Sequence, residues 1–477
     1  NNRLAARFRS ARRQEVFPSA LTVMVNSTDD FVDATPGDGV CESSLGSGNC
    51  SLRAAIQESN AWPGPDTIVL PAGVYNFGLF GTNEDAAATG DLDITDSVVI
   101  SGAGSSAVIV DADDLDRVFD IWSTGDVTIT GLQIQYGWLY SANGGGIRHN
   151  DGHLILQDVI VRNNFVACGE KASSAGGGFF GVGGGIATFS GQLDLQDVTI
   201  QDNGAQCSAG GLFIGSSQVR MTASSLLSNT TYYGDGGGIY NTLGRIEIVD
   251  STVQGNQAGS NGGGLSNIAG SVAVVDASTF SGNVASFDGG GIANTGDLQV
   301  INSTLSGNRS NGNGGGIFAS AGALNNLTNA TIAANQADAT EGDVGNGGGI
   351  FNLGSLFALT NTIIAGNLDL STGVLQPDCG DNGGSWGAVS YNLIGNNAGC
   401  TDVLVNGVNG NQVGDNTLPL DPQLTPLQAN GGPTLTHAPN LGSPAVDMGA
   451  NASCPELDQR GLARFAGWPV PVVYVPG

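Results

Sequence analysis

Cationic side chains are scarce in this chain of 477 residues, which has 15 lysines and arginines against 43 aspartates and glutamates and a single lysine, Lys171. The formal net charge is −28. A surface of that sign repels nucleic-acid phosphates and anionic lipids and attracts cations and basic partners. The composition therefore argues against nucleic-acid binding, and no apolar run reaches the roughly 18 residues of a membrane-spanning helix.

Motifs of common catalytic sites are also missing from the sequence. The seven cysteines and three histidines contain no C-x-x-C pair and no spacing typical of zinc, and we find no nucleophile elbow or phosphate-binding loop. The ionisable Asp, Glu, Lys and Arg residues between 251 and 340 are Asp276, Asp288, Asp297, Arg309 and Asp338. They share no strand register, whereas glycoside hydrolysis needs paired carboxylates. We therefore predict no catalytic residues, with a polysaccharide lyase or hydrolase as the alternative.

Glycine, in contrast, is abundant and regularly spaced. A Gly-rich mark of the type GGGI begins at residues 144, 183, 209, 236, 262, 289, 314 and 347. The usual step is about 26 residues, with longer steps where the chain has insertions. A constant period of this length is typical of a solenoid, in which each unit buries its apolar face against its neighbours.

A second column of residues has the same period. An asparagine follows an apolar residue by three positions at the end of successive strand-like runs, at Asn164, Asn203, Asn229, Asn256, Asn283, Asn308, Asn335 and Asn367. Because equivalent residues of adjacent coils lie about one strand spacing apart, we predict that these asparagines form a structural ladder. Asparagine also tolerates left-handed corners and hydrogen-bonds to nearby backbone.

Short alternating runs such as "GRIEIVDSTV" and "GDLQVINSTL" lie between the two columns. They are rich in β-branched residues and bounded by turn formers, which predicts strands. The assembly that follows is an all-β, right-handed parallel β-helix with two or three short strands in each coil of about 26 residues. About 11 coils would make a rod on the order of 50 Å long.

The position six residues before each ladder asparagine is mostly acidic or amide. It reads Asp158, Asp197, Ala223, Asp250, Asn302, Asn329 and Asn361, with the coil before Asn283 shifted by one residue. Turn capping explains this column, and a stacked-carboxylate cation site is the alternative.

Six of the seven cysteines are predicted to pair. Cys168 and Cys207 each follow a ladder asparagine by four residues, which places them one coil apart and within reach of a disulfide. Cys41 and Cys50 close a short loop, Cys379 and Cys400 close a longer one, and Cys454 is left over. Disulfides of this kind indicate an extracellular or cell-surface location.

Four segments are expected along the chain. Residues 1–20 form a basic tail, 21–76 an N-terminal cap region, 77–367 the β-helix and 368–477 a loop-rich C-terminal module. In the cap region, "CSLRAAIQESNAW" has apolar residues at helical spacing, so a short helix can cover the first coil.

The end motifs resemble those of a known family. The N-terminal "DGVCESSLGSGNCSLRAAIQESN" is similar to the CSLREA-type region of secreted bacterial β-helix proteins. The C-terminal "PDCGDNGGSWGAVSYNLIGNNAGC" and "CPELDQRGLAR" resemble the choice-of-anchor Q module. The resemblance implies a pectin-lyase-like right-handed β-helix that is secreted or attached to a surface. This chain differs in having Ala54 in place of the family's Glu, so Ser51 is expected to cap the helix alone, and in lacking the family's partner for Cys454.

Two acidic loops are candidate calcium sites, although no metal-ligand set is assigned. They contain Asp29, Asp30, Asp33 and Asp38, and Asp111, Asp113, Asp114 and Asp116. Neither has the spacing of an EF-hand, and solvated loops are the alternative. His149, His153 and His437 are expected to be structural, and no other cofactor is predicted.

We expect a non-enzymatic structural protein that assembles with itself in a surface layer, sheath, filament or adhesive coat. A basic N-terminal tail can dock on the acidic body of another copy, and the apolar run "VPVVYVP" can add to a strand edge. The residues predicted for assembly are Arg3, Arg7, Arg9, Arg12, Arg13, Val472, Val473 and Tyr474. Binding of cell-envelope or extracellular glycans along the strand face is the alternative.

Overall fold

The computed structural model describes residues 20–82, 84–169, 181–339 and 345–464. In these ranges the chain winds into a parallel β-solenoid, and one of its sheets stacks 11 strands. The predicted fold class, an all-β parallel solenoid, is confirmed. Most coils have four strand segments rather than the two or three predicted, because two of the turns contain short strands of two to four residues, whereas the first two coils have no segment on face 3.

We name the four sides of the coil faces 1 to 4, in chain order. Face 1 contains Thr22–Met24, Asp66–Leu70, Val98–Gly102, Gln192–Gln196, Gln218–Thr222, Arg245–Val249, Val272–Asp276, Asp297–Ile301, Leu324–Thr328, Leu356–Thr360 and Ser385–Ser390. Face 2 contains Gly73–Asn76, Val108–Asp111, Thr199–Gln201, Ser225–Leu227, Thr252–Gln254, Thr279–Ser281, Thr304–Ser306, Thr331–Ala333, Ile363–Ala365, Leu393–Ile394 and Gln412–Val413. Two long strands, Asp126–Gln135 and His153–Arg162, extend across both faces.

The other two faces are made of shorter strands. Face 3 contains Trp138–Tyr140, Phe165–Ala167, Gly204–Ala205, Thr230–Thr231, Gln257–Ala258, Val284–Ala285, Arg309–Ser310, Gln336–Ala337 and Leu368–Asp369. Face 4 contains Leu92–Ile94, Phe119–Ile121, Ile147–His149, Ile186–Thr188, Leu212–Ile214, Ile239–Asn241, Leu265–Asn267, Ile292–Asn294, Ile317–Ser320, Ile350–Leu353 and Cys379–Asp381.

The core lies inside the coil and is built from apolar residues stacked in register. On face 1, Ile246, Ala273 and Leu298 occupy the same position in three successive coils, and all are buried. On these face 1 strands the residues on either side of the buried ones point outward, so the period-two alternation of the sequence becomes an inside and an outside. Each fully buried aliphatic side chain contributes about 1.5–3 kcal/mol relative to exposure.

The Gly-rich marks form the corner between faces 3 and 4. Their first residue has a left-handed backbone in every described coil, for example Gly262 with φ +69° and Gly289 with φ +71°. The second and third glycines lie against the next coil, where a Cβ on Gly263 would meet the carbonyl oxygens of Gly290 and Val284 at 2.5 Å. The left-handed backbone explains why glycine is favoured at the first position of the mark. The close approach between coils explains why glycine is required at the second and third positions.

The corner between faces 1 and 2 is also left-handed. The column six residues before the ladder has φ between 46° and 53° at Asp158, Asp197, Ala223, Asp250, Ala277, Asn302, Asn329 and Asn361. Ala277 stands in this column, so the predicted one-residue shift before Asn283 was wrong. Residues of three different types share one backbone conformation here, which supports the turn explanation of the column.

A helix covers the first coil, as predicted from the sequence. It extends over Leu52–Ala61, and the Ser51 hydroxyl accepts a hydrogen bond from the Ala54 amide at 3.1 Å. Leu52, Ala55 and Ile56 are buried against the core. No helix in the described ranges is long and apolar enough to cross a membrane.

Strand pairing continues beyond residue 367, the predicted end of the β-helix. Cys379–Asp381, Ser385–Ser390 and Leu393–Ile394 pair in parallel with the preceding coil. The later part of the C-terminal module then lies along face 2, where Gln459 donates to the Ser278 carbonyl and accepts from the Thr304 hydroxyl. Two short 3₁₀ helices, Val408–Gly410 and Asn451–Ser453, are part of this module.

The two glycine environments lead to a testable difference in stability. We expect Gly263→Ala to lower the free energy of unfolding by about 3 kcal/mol, because the new methyl group collides with two main-chain carbonyls. Gly282→Ala is the matched control, since Gly282 has φ +62° with nothing within 4 Å and its cost should be about 1 kcal/mol. Denaturant unfolding of both variants tests this expectation, and equal losses would contradict it.

Candidate functional site

The eight ladder asparagines form one buried column between faces 2 and 3. In each step, the Oδ1 atom of one asparagine accepts from both the backbone amide and the Nδ2 group of the asparagine in the preceding coil. For Asn256 and Asn283 both distances are 3.0 Å. The second Nδ2 hydrogen goes to a main-chain carbonyl of the preceding coil, as from Asn283 to Val253 at 2.9 Å. Every hydrogen-bonding position of the amide is used, so burial leaves no unpaired polar group.

The ladder ends on a carboxylate. Asp378 Oδ1 accepts from the backbone amide of Asn367 at 3.0 Å and from its Nδ2 at 2.8 Å. Burial raises the pKa of Asp378 to about 6, and the hydrogen bonds from Asn367 oppose the increase. An acceptor is needed here because Asn367 has donors to satisfy and no ladder asparagine follows it in the described residues.

A second asparagine ladder, on face 4, was missed by the sequence analysis. Asn241 Nδ2 donates to Asn267 Oδ1 at 2.9 Å, and Asn267 donates to Asn294 at 2.8 Å. These residues follow the first glycine of their Gly-rich marks by five positions, as in "GGGIYN" and "GGGLSN". The sequence therefore contained a signal for this second ladder, namely an asparagine five residues after the first glycine of successive Gly-rich marks.

The three predicted disulfides are confirmed. Cys41 pairs with Cys50, Cys168 with Cys207 and Cys379 with Cys400, with Cα–Cα distances of 5.2, 5.9 and 6.1 Å. Cys454 is a free thiol. Three disulfides fit an oxidising environment outside the cytosol.

The first predicted calcium loop is largely occupied by protein contacts. The Asp30 carboxylate receives two hydrogen bonds from the buried Arg53, at 2.6 and 3.1 Å, and further bonds from backbone amides at residues 78 and 79. Arg53 also donates to the carbonyl of Gly90 at 2.7 Å. This arginine ties the capping helix to two loops, which makes Asp30 a structural residue.

Several carboxylates and two arginines meet at the N-terminal end of face 4. Arg117 contacts Asp91 and Asp120, and Arg148 forms a bidentate ion pair with Asp120. Burial raises the pKa of Asp91 to about 8, an effect that Arg117 opposes. We call this group, together with Asp85, Asp93 and Asp116, the acid–arginine cluster. Sequence reasoning singled out only Asp116 of this cluster, because the other members come from separate strands and loops.

The histidines are held by ordinary structural contacts. His149 is buried with Nδ1 2.9 Å from the Thr188 hydroxyl, and burial lowers its pKa to about 4. His437 Nε2 lies 2.8 Å from the Ser306 hydroxyl and joins the C-terminal module to face 2. His153 Nε2 lies 2.9 Å from Asp194 on the outside of face 1.

A cleft of about 350 Å³ lies between the C-terminal module and the last coils. It is lined by backbone, amide and apolar groups, with Asp447, Arg464 and the Cys454 thiol. The Cys454 sulfur lies 3.4 Å from Asn361 Nδ2. The cleft brings no carboxylate pair together, so its described lining offers little for acid–base catalysis.

Exposed and half-buried aromatic residues follow one another along face 3. Trp138 and Phe165 are register partners in adjacent coils, and the ring centroids of Phe165 and Tyr232 are 6.0 Å apart. Tyr140, Tyr232 and Tyr233 are 59, 58 and 78% exposed. Gly204 lies between Phe165 and Tyr232, and a Cβ on this glycine would come within 2.8 Å of the Phe165 ring. We call Trp138, Tyr140, Phe165, Tyr232 and Tyr233 the aromatic strip.

The residues predicted for assembly lie outside the described residues. This applies to all five arginines of the tail and to the three residues of the apolar C-terminal run, namely Arg3, Arg7, Arg9, Arg12, Arg13, Val472, Val473 and Tyr474. Their role stays a prediction.

The fold defines the protein as a disulfide-bonded parallel β-solenoid. Comparison with known proteins finds no matching family model, no similar curated protein and no similar solved structure.

The asparagine ladder can be tested by truncating one residue of it. We expect Asn283→Ala to lower the free energy of unfolding by about 2–4 kcal/mol, because it leaves two buried donors of Asn256 without an acceptor. Asn326→Ala is the matched control, since Asn326 is an exposed asparagine on face 1 and its loss should cost less than about 0.5 kcal/mol. Thermal and denaturant unfolding give the comparison, and a ladder variant as stable as the control would contradict the expectation.

Proposed function

We propose that this protein is a non-enzymatic structural protein of the extracellular space, a solenoid rod that assembles with copies of itself. Such a rod would be a building block of a surface layer, sheath, filament or adhesive coat. The observation that carries the proposal is the unbroken stack of coils with their buried side-chain ladders. Such a stack is a stiff element that resists local opening, because each coil is held by both of its neighbours.

The end motifs support an extracellular setting. Three parts of the chain resemble the CSLREA and choice-of-anchor Q proteins. They are the helix that begins after Cys50, the disulfide between Cys41 and Cys50, and the "DQRG" segment, whose Gln459 hydrogen-bonds to face 2. We include in the proposal that the chain is a right-handed, pectin-lyase-like member of that group. Three disulfides are consistent with export.

Self-assembly is proposed from the charge distribution of the chain. Five arginines precede the first acidic residue, Glu15, while the chain as a whole has a net charge of −28. A basic tail is attracted by the acidic body of another copy, and this attraction decreases as salt screens it. The apolar residues 468–477 offer a second contact, since an extended segment can pair with an exposed strand edge.

Assembly can be tested by electron microscopy of the full chain and of two altered forms. We expect ordered polymers from the wild type, and folded monomers when the five arginines are replaced by glutamine or when residues 468–477 are removed. Polymers that persist unchanged in both altered forms would contradict the proposal, as would a wild type that is monomeric under all conditions.

Arg309→Gln is the matched control for the loss of positive charge. Arg309 is exposed on face 3 and does not belong to the five arginines of the tail sequence. Its replacement should leave the polymers unchanged, and circular dichroism should show the same β-sheet content for all forms. A high salt concentration, about 1 M, should weaken assembly that depends on the basic tail.

Glycan binding is a second candidate function, favoured by the aromatic strip. Aromatic rings have an apolar face and, in Tyr and Trp, a polar edge, which suits the apolar faces and hydroxyl edges of sugar rings. Trp138, Phe165 and Tyr232 span three coil steps, or about 14 Å at the usual strand spacing. This length suits a short oligosaccharide lying along the solenoid axis.

The aromatic strip can be tested on a glycan array. We expect Trp138→Ala and Tyr233→Ala to reduce binding of any glycan recognised by the wild type by about tenfold, the loss of one stacking contact. Phe80→Ala is the control, because Phe80 is a similarly exposed aromatic outside the strip. Absence of glycan binding by the wild type would reject this candidate, and release of unsaturated sugars would favour a lyase instead.

A further inference from the structure

Three carboxylates of the acid–arginine cluster converge on one point. Asp93 and Asp120 are register partners at the centre of adjacent face 4 strands, where the flanking residues point into the core. Asp85 reaches the same place from the loop that precedes face 4. One oxygen from each of the three carboxylates lies within 4.8 Å of the other two.

One carboxylate oxygen of Asp93 is buried and has no hydrogen-bond partner among the described residues. Asp93 is fully buried, its Oδ2 accepts from the Ala87 amide at 2.7 Å, and its Oδ1 has no hydrogen-bond partner in the described part of the chain. Leaving a buried carboxylate oxygen unpaired costs the free energy of its lost hydration. A group that supplies positive charge at this oxygen would remove that cost.

The two arginines do not supply this charge. Arg117 contacts Asp91 and Asp120, and Arg148 contacts Asp120. Neither is among the described ion-pair partners of Asp85 or Asp93. The shared point is therefore lined by two carboxylates that have no described arginine partner, beside an Asp120 that the arginines hold in place.

We propose that Asp85, Asp93 and Asp120 bind a calcium ion. Calcium takes oxygen ligands at 2.3–2.6 Å, so two ligands of one ion lie at most about 5 Å apart, and the three carboxylates meet that limit. Asp85 is exposed, which gives the ion access from solvent, and water completes the coordination. The site is distinct from the loops around Asp30 and Asp113 that the sequence pattern indicates.

The site predicts calcium binding by the full chain. After removal of metals with a chelator, isothermal titration in about 0.15 M KCl should show one saturable site with a dissociation constant on the order of 0.1–1 mM, the usual range of extracellular calcium modules. Asp85→Asn and Asp93→Asn should each weaken binding by about tenfold or more. Asp297→Asn, which removes an exposed carboxylate of face 1 that belongs neither to the three nor to the two acidic loops, should leave the affinity within about twofold.

Thermal unfolding gives an independent measurement. Calcium should raise the melting temperature of the wild type and of Asp297→Asn, and should have little effect on Asp85→Asn. Because Asp85 is exposed, this variant retains the fold even if the buried Asp93→Asn variant does not. The proposal is overturned if the wild type shows no saturable binding up to about 5 mM calcium, or if Asp85→Asn binds as tightly as the wild type.

Discussion

Parallel pairing between successive coils is the interaction on which the rest of this structure depends. Each coil hydrogen-bonds to the coil before it and the coil after it, so a residue at any corner lies against its own equivalents. A buried side chain at such a position must be complementary to a copy of itself. Asparagine meets this requirement because its amide donates and accepts in equal number, which explains why Asn164 to Asn367 form an uninterrupted column.

The same constraint explains the serines and the glycines. Ser251 and Ser278 accept from the backbone amide of the preceding coil, at 3.1 and 3.0 Å, directly after the left-handed corner. The second and third glycines of each mark allow the backbones of adjacent coils to touch. Small and self-complementary residues are therefore selected by the stacking distance at the buried corners.

Charged side chains appear where the repetition is less regular. The central position of the face 4 strands holds Asp93, Asp120 and Arg148 in the first coils, and Ala187 and Phe213 occupy it later. At the other end, Asp378 replaces an asparagine as the last acceptor of the ladder. Chemical variety is thus concentrated at the ends and on the surface of the rod, because the interior accepts only residues that stack on themselves.

The sequence by itself determined the period, the main asparagine column and the three disulfides, because each depends on the distance between equivalent residues of adjacent coils. The tertiary structure alone decided how Arg53 joins the helix to two loops, how Gln459 fixes the C-terminal module along face 2, and how Asp85 meets Asp93 and Asp120. These contacts join segments that have no common period. Local patterns specify what repeats, whereas long-range contacts between unlike segments depend on the path of the whole folded chain.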